Sequence, residues 1–146
     1  MLLLVFQAGA ERFGLEVSRI VEVIPAPLLR PVPWAPETVA GLFDYHGAIV
    51  PVIDMSRQLA GEAARMLLST RVVLVDYDGS NVLGLLAERA TETVTCREED
   101  WRPSGLAVGE APYLGGILKH QGGMIQRVTV EGLLPDSLRE TLFVRL

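Results

Sequence analysis

Gly41-Leu42-Phe43-Asp44-Tyr45-His46-Gly47-Ala48-Ile49-Val50-Pro51-Val52-Ile53-Asp54 reads as two apolar runs divided by His46-Gly47, the pattern of a tight hairpin. A second hairpin is as plain. Val72-Val73-Leu74-Val75 runs into Asp76-Tyr77-Asp78-Gly79-Ser80-Asn81 and leaves through Val82 to Leu86, with Asp78-Gly79 at the turn. Near the start, Leu2 to Phe6 is aliphatic enough for a buried strand, and Gly9-Ala10-Glu11 turns the chain into Arg12 to Val17.

Helical signals are few. Ser56 to Ala60 and Pro36 to Ala40 each read as one short turn, the second with proline where its missing N–H is harmless. Pro135 to Glu140 starts a helix if Ser137 and Glu140 form a Ser-x-x-Glu capping box. Pro25, Pro27, Pro31, Pro33 and Pro36 mark an ordered surface connector. Many short strands between turn signals place the chain in the all-β class, as a barrel or sandwich.

Comparison of the chain with itself sharpens that class. Phe13 to Ile24 lies over Leu83 to Val94 at a separation of 70 residues, matching Gly14 with Gly84, Arg19 with Arg89 and Glu22 with Glu92. Gly41-Leu42-Phe43 and His46 to Val50 lie over Gly116-Ile117-Leu118 and Gln121 to Ile125 at a separation of 75 residues. The order of the blocks is kept. The expectation is one domain over 1–146, built from two similar subdomains (repeat blocks about 13–55 and 83–130), each too small to bury its own apolar surface, around a shared core.

Composition narrows the function. With 146 residues and a net charge of −5, the single lysine, Lys119, and the scattered arginines form no basic stripe, which argues against nucleic acid. The longest uninterrupted apolar run, Met1 to Phe6, is far short of the ~20 residues of a membrane span, and no basic residue precedes it as in a secretory leader. No direct membrane insertion and a cytoplasmic location are expected. Cys96 permits neither an internal disulfide nor a cysteine zinc site, and reads as a small buried hydrophobe.

Catalytic constellations do not emerge. His46 and His120 fall on equivalent strands of different subdomains in the repeat, a poor arrangement for a shared metal. Asp76, Asp78 and Ser80 imitate the opening of a calcium loop, but Asn81 stands where glycine is needed and Ala87 where a bidentate Glu is needed. Gly115-Gly116 and Gly122-Gly123 lack the lysine and hydroxyl residue of a phosphate loop. Asp44 flanks a turn and Asp54 ends a strand, both places for structural acceptors. No catalytic, cofactor-binding or metal residue is assigned, and no enzyme activity or cofactor is expected.

The run from Phe13-Gly14-Leu15 through Ile20-Val21-Glu22-Val23-Ile24, Val32-Pro33 and Gly41 to Met55 resembles the CheW family of chemotaxis coupling proteins. Gly41, Gly47, Ile49, Pro51 and Asp54 hold the register of that family's central signature, and Val72 to Val75, Gly84 to Thr93 and Tyr113 to Gly116 continue the likeness. The resemblance implies two intertwined five-stranded Src-homology-3-like barrels around a common hydrophobic core, with few short helices.

It further implies a non-catalytic adaptor that couples the cytoplasmic tips of chemoreceptors to the regulatory domain of a CheA-type histidine kinase, recruited to membrane-associated receptor arrays. Its receptor-facing positions would be Ile20, Glu22, Gly41, His46 and Gly47, with Ile49, Pro51 and Asp54 as structural signature. A groove lined by Ile20, Val21 and Phe43, edged by Glu22 and His46, would seat a receptor helix. His46 stands where the family usually carries arginine, Asp44-Tyr45 where it carries Asn-Leu, and Gln126-Arg127 in a stretch that is usually apolar. The alternative function is a peptide- or ligand-binding β-barrel module with an unrelated partner.

Overall fold

The hairpins form as their turn residues demand, and nine strands are found among the described residues. A computed structural model describes residues 1–104 and 111–145; residues 105–110 of the second repeat block lie outside the described residues. The strands are β1 (Leu2–Ala8), β2 (Glu11–Glu16), β3 (Ile20–Pro25), β4 (Val39–Tyr45), β5 (Ala48–Asp54), β6 (Arg71–Asp76), β7 (Val82–Thr95), β8 (Leu114–His120) and β9 (Gly123–Val128). Among the described residues there are two α-helices, α1 (Met55–Ala60) and α2 (Asp136–Arg145), and three short 3₁₀ turns.

Strand β7 belongs to two sheets. Its first half pairs antiparallel with β6 and parallel with β5, while its second half pairs antiparallel with β1. One sheet therefore runs β3-β6-β7-β5-β4, and the other runs β7-β1-β2-β9-β8. Among the described residues each closes into a ring through a bridge from the segment that follows its first strand: Arg30 with Leu42 in one barrel and Arg102 with Ile117 in the other.

The internal repeat is visible in this closure. Gly41 and Gly116 sit at the two bridges, where an added Cβ would lie 2.6 Å from the Arg30 carbonyl oxygen and 2.7 Å from that of Arg102. His46-Gly47 and Gln121-Gly122 are the two matching turns, and all four residues have positive φ, as a type I′ hairpin requires. The halves of the chain interleave, since β1 and β2 share a barrel with β8 and β9, whereas β3, β4 and β5 share theirs with β6.

Alternation along the strands divides the apolar side chains among three clusters. Leu3 and Val5 face the inside of the β7-β1-β2-β9-β8 barrel with Val94, Leu118 and Ile125, and Val72, Leu74 and Val52 fill the other. Their neighbours Leu4, Phe6, Val73, Val75, Leu83 and Leu85 face a large core between the barrels. Burial on both faces is why Leu2–Phe6 and Val72–Val75 are continuously apolar in sequence. Helix α2 covers this core with Leu138, Leu142 and Phe143.

Two local expectations are corrected. Residues 36–39 make one β-turn, closed by the Val39 N–H on the Pro36 carbonyl, and β4 begins there instead of a helical turn. The Ser137–Glu140 capping box does not form, because α2 already starts at Asp136 and its first bond runs from the Arg139 N–H to the Pro135 carbonyl. The calcium-like run is a turn: Asp76 Oδ1 accepts the Gly79 N–H at 2.7 Å, and Asp78 Oδ1 accepts those of Ser80 and Asn81 at 3.0 and 2.9 Å. Those carboxylates are occupied by backbone.

Asp54 caps α1, its Oδ1 accepting the Arg57 N–H at 3.0 Å, while its Oδ2 accepts the Ala64 N–H at 2.9 Å. Buried Glu88 accepts from Ser56 Oγ (3.1 Å), the Arg65 N–H (3.0 Å) and Arg65 Nε (2.9 Å). Burial alone drives this carboxyl upward, but the Arg65 backbone, guanidinium and Ser56 bonds outweigh it and leave the group below the ordinary range. A depressed carboxyl contributes stability above its unfolded pKa and loses it as pH falls through the folded one. Accordingly, Glu88→Gln should lower the unfolding free energy by about 2 kcal/mol at neutral pH and flatten the loss of stability on acidification, as followed by urea denaturation across pH. Gly41→Ala should cost about 2 kcal/mol in the same assay, because the clashing oxygen belongs to backbone.

Candidate functional site

The β4–β5 turn builds the most developed exposed cluster. Asp44 Oδ1 accepts the Gly47 N–H at 2.7 Å, which fixes the turn, and His46 takes φ +52, a conformation that histidine tolerates better than most residues. Its imidazole lies against the Tyr45 ring, with centroids 4.3 Å apart, and Phe43 follows at 6.2 Å from Tyr45. The Tyr45 hydroxyl donates to the Glu22 carboxylate on β3. That hydrogen bond, reinforced by the carboxylate's negative charge, holds the phenol above its ordinary pKa.

Strand β3 reaches this cluster through an irregularity. Ile20 pairs with Val75 and Glu22 with Leu74, so Val21 is bulged out and the alternation resets. Val21 is 51% exposed and lies beside Glu22, whereas Val23, 39% exposed, pairs with Val73 and faces the other side of β3. The face thus combines Val21, Glu22, Tyr45 and His46.

Of the sequence-assigned positions, Glu22 and His46 come together here, with Gly47 at the open end of the turn, where no atom lies within 4 Å of an added Cβ. Ile20 instead packs against the core between the barrels, and Gly41 is buried at the Arg30 bridge. The groove expected from Ile20, Val21 and Phe43 does not form, because Phe43 packs against the interior of its own barrel while Val21 faces solvent. Tyr45 is the residue that sequence reasoning did not assign.

Ile49 is 47% exposed and lines, with Leu28, Leu29, Arg30, Leu42, Phe43 and Asp44, an apolar groove of about 490 Å³ that adjoins the turn. Pro51 is buried, one residue before β5 begins to pair with β7, so its missing N–H leaves that ladder intact. Gln126 and Arg127 are half-buried: Arg127 pairs with Glu16 (3.2 Å) and Glu98 (3.0 Å), and its guanidinium lies 5.4 Å from the Trp101 ring centre. His120 lies across the molecule's repeat from His46, its ring 3.4 Å from the Arg12 guanidinium. Among the described residues no group of three or more His, Cys, Asp or Glu is arranged to hold a metal. No helix among them is long and apolar enough to cross a membrane.

A CheW-like domain family model matches residues 2–138. The chain belongs to the CheW-like domain family. It is 28% identical over 140 residues to the chemotaxis protein CheW of Rhizobium meliloti, covering 94% of this chain and 90% of that one. The chemotaxis protein CheW of Treponema pallidum is 27% identical over 124 residues, 80% of this chain and 72% of its own. The fold is that of the scaffolding protein TtCheW from Thermoanaerobacter tengcongensis, with a TM-score of 0.85 at 23% identity over 97% of this chain and 92% of the other. The CheW-like architecture therefore carries the Glu22–Tyr45–His46 cluster on the barrel made of β3 to β6 and the first half of β7.

If Glu22 holds the Tyr45 phenol, Glu22→Gln should move the Tyr45 titration to lower pH. Site-resolved carbon NMR of the tyrosine Cζ atoms reads this directly, and an unmoved midpoint removes the coupling.

Proposed function

We propose that this CheW-like chain is a non-catalytic adaptor that couples chemoreceptors to a CheA-type histidine kinase in chemosensory signalling. It acts in the cytoplasm and joins membrane-associated receptor arrays through its partners. The family match and the relatives named as chemotaxis proteins support the pathway. The observation that carries the receptor assignment is the meeting of Glu22 and His46 through Tyr45 on one exposed, partly apolar face.

That face suits the side of a helix in the receptor's cytoplasmic tip. Val21 offers apolar contact, while Glu22 and the exposed turn at His46 and Gly47 offer polar contact at its edge. Gly41 and Ile20 contribute indirectly, Gly41 by letting β4 approach Arg30 and Ile20 by anchoring β3 in the core. An imidazole has fewer donors than a guanidinium and no fork, so this receptor contact does not use a bidentate arginine bond at position 46.

Wild-type chain should co-sediment with receptor-containing membranes, and Glu22→Lys and His46→Ala should each weaken that binding about tenfold, the equivalent of one contact of ~1.4 kcal/mol. Binding of the kinase should be retained in both variants. Equal receptor binding by all three proteins would overturn the assignment of this face.

A further inference from the structure

The barrel made of β3 to β6 and the first half of β7 has a seam between β4 and the segment that follows β3. Arg30 and Leu42 close it by exchanging two backbone hydrogen bonds of 2.8 Å each, while residues 26–29 before Arg30 belong to no strand. On that side of the bridge the seam opens into the groove of about 490 Å³ beside the β4–β5 turn, with Leu42, Phe43 and Ile49 among its lining residues. Leu28 stands at its rim and is 98% exposed.

Pro25, Pro27 and Pro31 fix φ along this segment and restrict the residues before them, so Leu28 projects from stiff backbone. A leucine held outward contributes nothing by burial to the folded chain, and its fixed backbone leaves little entropy to lose on docking. One surface thus carries an apolar knob and an apolar groove side by side.

Its charges are matched in the same way. Arg30 and Asp44 are the charged residues that line the groove, one of each sign. Both are exposed, and no ion pair among the described residues includes either of them. Asp44 Oδ1 accepts the Gly47 N–H at 2.7 Å, and no hydrogen bond among the described residues uses its Oδ2. The lining therefore has no net charge, and a partner patch of a single sign would attract one group while repelling the other.

We infer that this groove receives a second copy of the same chain, in a symmetric dimer. In a twofold contact one patch meets its own rotated image, so each contact is made twice with the roles exchanged. A patch that sets a knob beside a groove, and a cation beside an anion, satisfies that requirement by itself: each Leu28 enters the other copy's groove near Ile49, and each Arg30 meets the other copy's Asp44. The patch is small, which places the dimer among weak contacts that bury less than ~1,200 Å² and form at high local concentration.

Sedimentation velocity of the full chain from ~10 μM to ~1 mM reads the monomer–dimer equilibrium, and it needs neither receptor nor kinase. The wild-type sedimentation coefficient should rise with concentration toward that of a dimer. Arg30→Glu sets two carboxylates against each other at both ends of the contact, and Asp44→Lys sets two cations. Either variant alone should weaken self-association by roughly tenfold or more, whereas their equimolar mixture should associate as wild type does, because both pairs across a mixed dimer again join opposite charges. Leu28→Ser alters a side chain already in solvent, so it should melt at the wild-type temperature and lose self-association by a similar factor. Wild-type chain that stays monomeric throughout overturns the dimer and leaves the groove to a different protein. The twofold contact is overturned if Leu28→Ser associates as wild type does, or if the folded single variants either match wild type or fail to recover on mixing. Should Asp44→Lys melt early through loss of its turn bond, Arg30→Glu and Leu28→Ser decide the outcome between them.

Discussion

The structure depends on β7, one strand that serves two barrels. Its fourteen residues pair with β5 and β6 before Glu88 and with β1 from Glu88 onward, so the chain changes partners without leaving the strand. Arg89 takes φ +50 at the change, and the β1–β7 register slips between Val5 and Gln7 opposite it. A non-glycine residue in that conformation is retained because the sheets on both sides fix it. Leu83, Leu85 and Ala87 then project into the core between the barrels, which joins the two rings into one folding unit.

The same junction explains where charge is buried. Glu88 sits at the partner change, where the strand ladder is interrupted and its carboxylate can turn toward Ser56 and Arg65. A buried carboxylate without partners would be strongly unfavourable, and here every partner comes from α1 or the loop beyond it. The junction of the barrels and the geometry of the 61–70 segment are therefore one arrangement, so that what stabilises the fold also fixes a surface loop.

Much of this was legible in the sequence, for identifiable reasons. His46-Gly47 and Asp78-Gly79 carry turn chemistry that pins the hairpins around them, and apolar runs betray strands buried on both faces. Strand β8 and strand β9 were visible only through their likeness to β4 and β5. The second half of β7 was not, because Glu92 and Thr93 interrupt the apolar pattern where the strand is exposed. A repeat marks equivalent strands without naming their partners, and the interleaving of the halves rests on contacts such as Gly14 with Arg127 that no local pattern encodes. Glu22 and His46 were assigned by resemblance. Tyr45, which unites them, depends on the bulge at Val21, and a single-residue bulge reverses which side chains share a face.

Divergence between the repeats makes the molecule one-sided. Val52 pairs with Gly84 in one barrel, and the equivalent pair in the other is Arg127 with Gly14. Arg127 is only 20% exposed in its side chain, and it is tolerated there because Glu16, Glu98 and the Trp101 ring surround it. Those partners close the end of their barrel with a charged network. In the other barrel valine makes no such demand, and the corresponding region presents the exposed apolar positions Leu28 and Ile49 beside the Glu22–Tyr45–His46 face. Matching strand pairings thus carry unlike surfaces, and the distinction between the two barrel ends lies in their side chains.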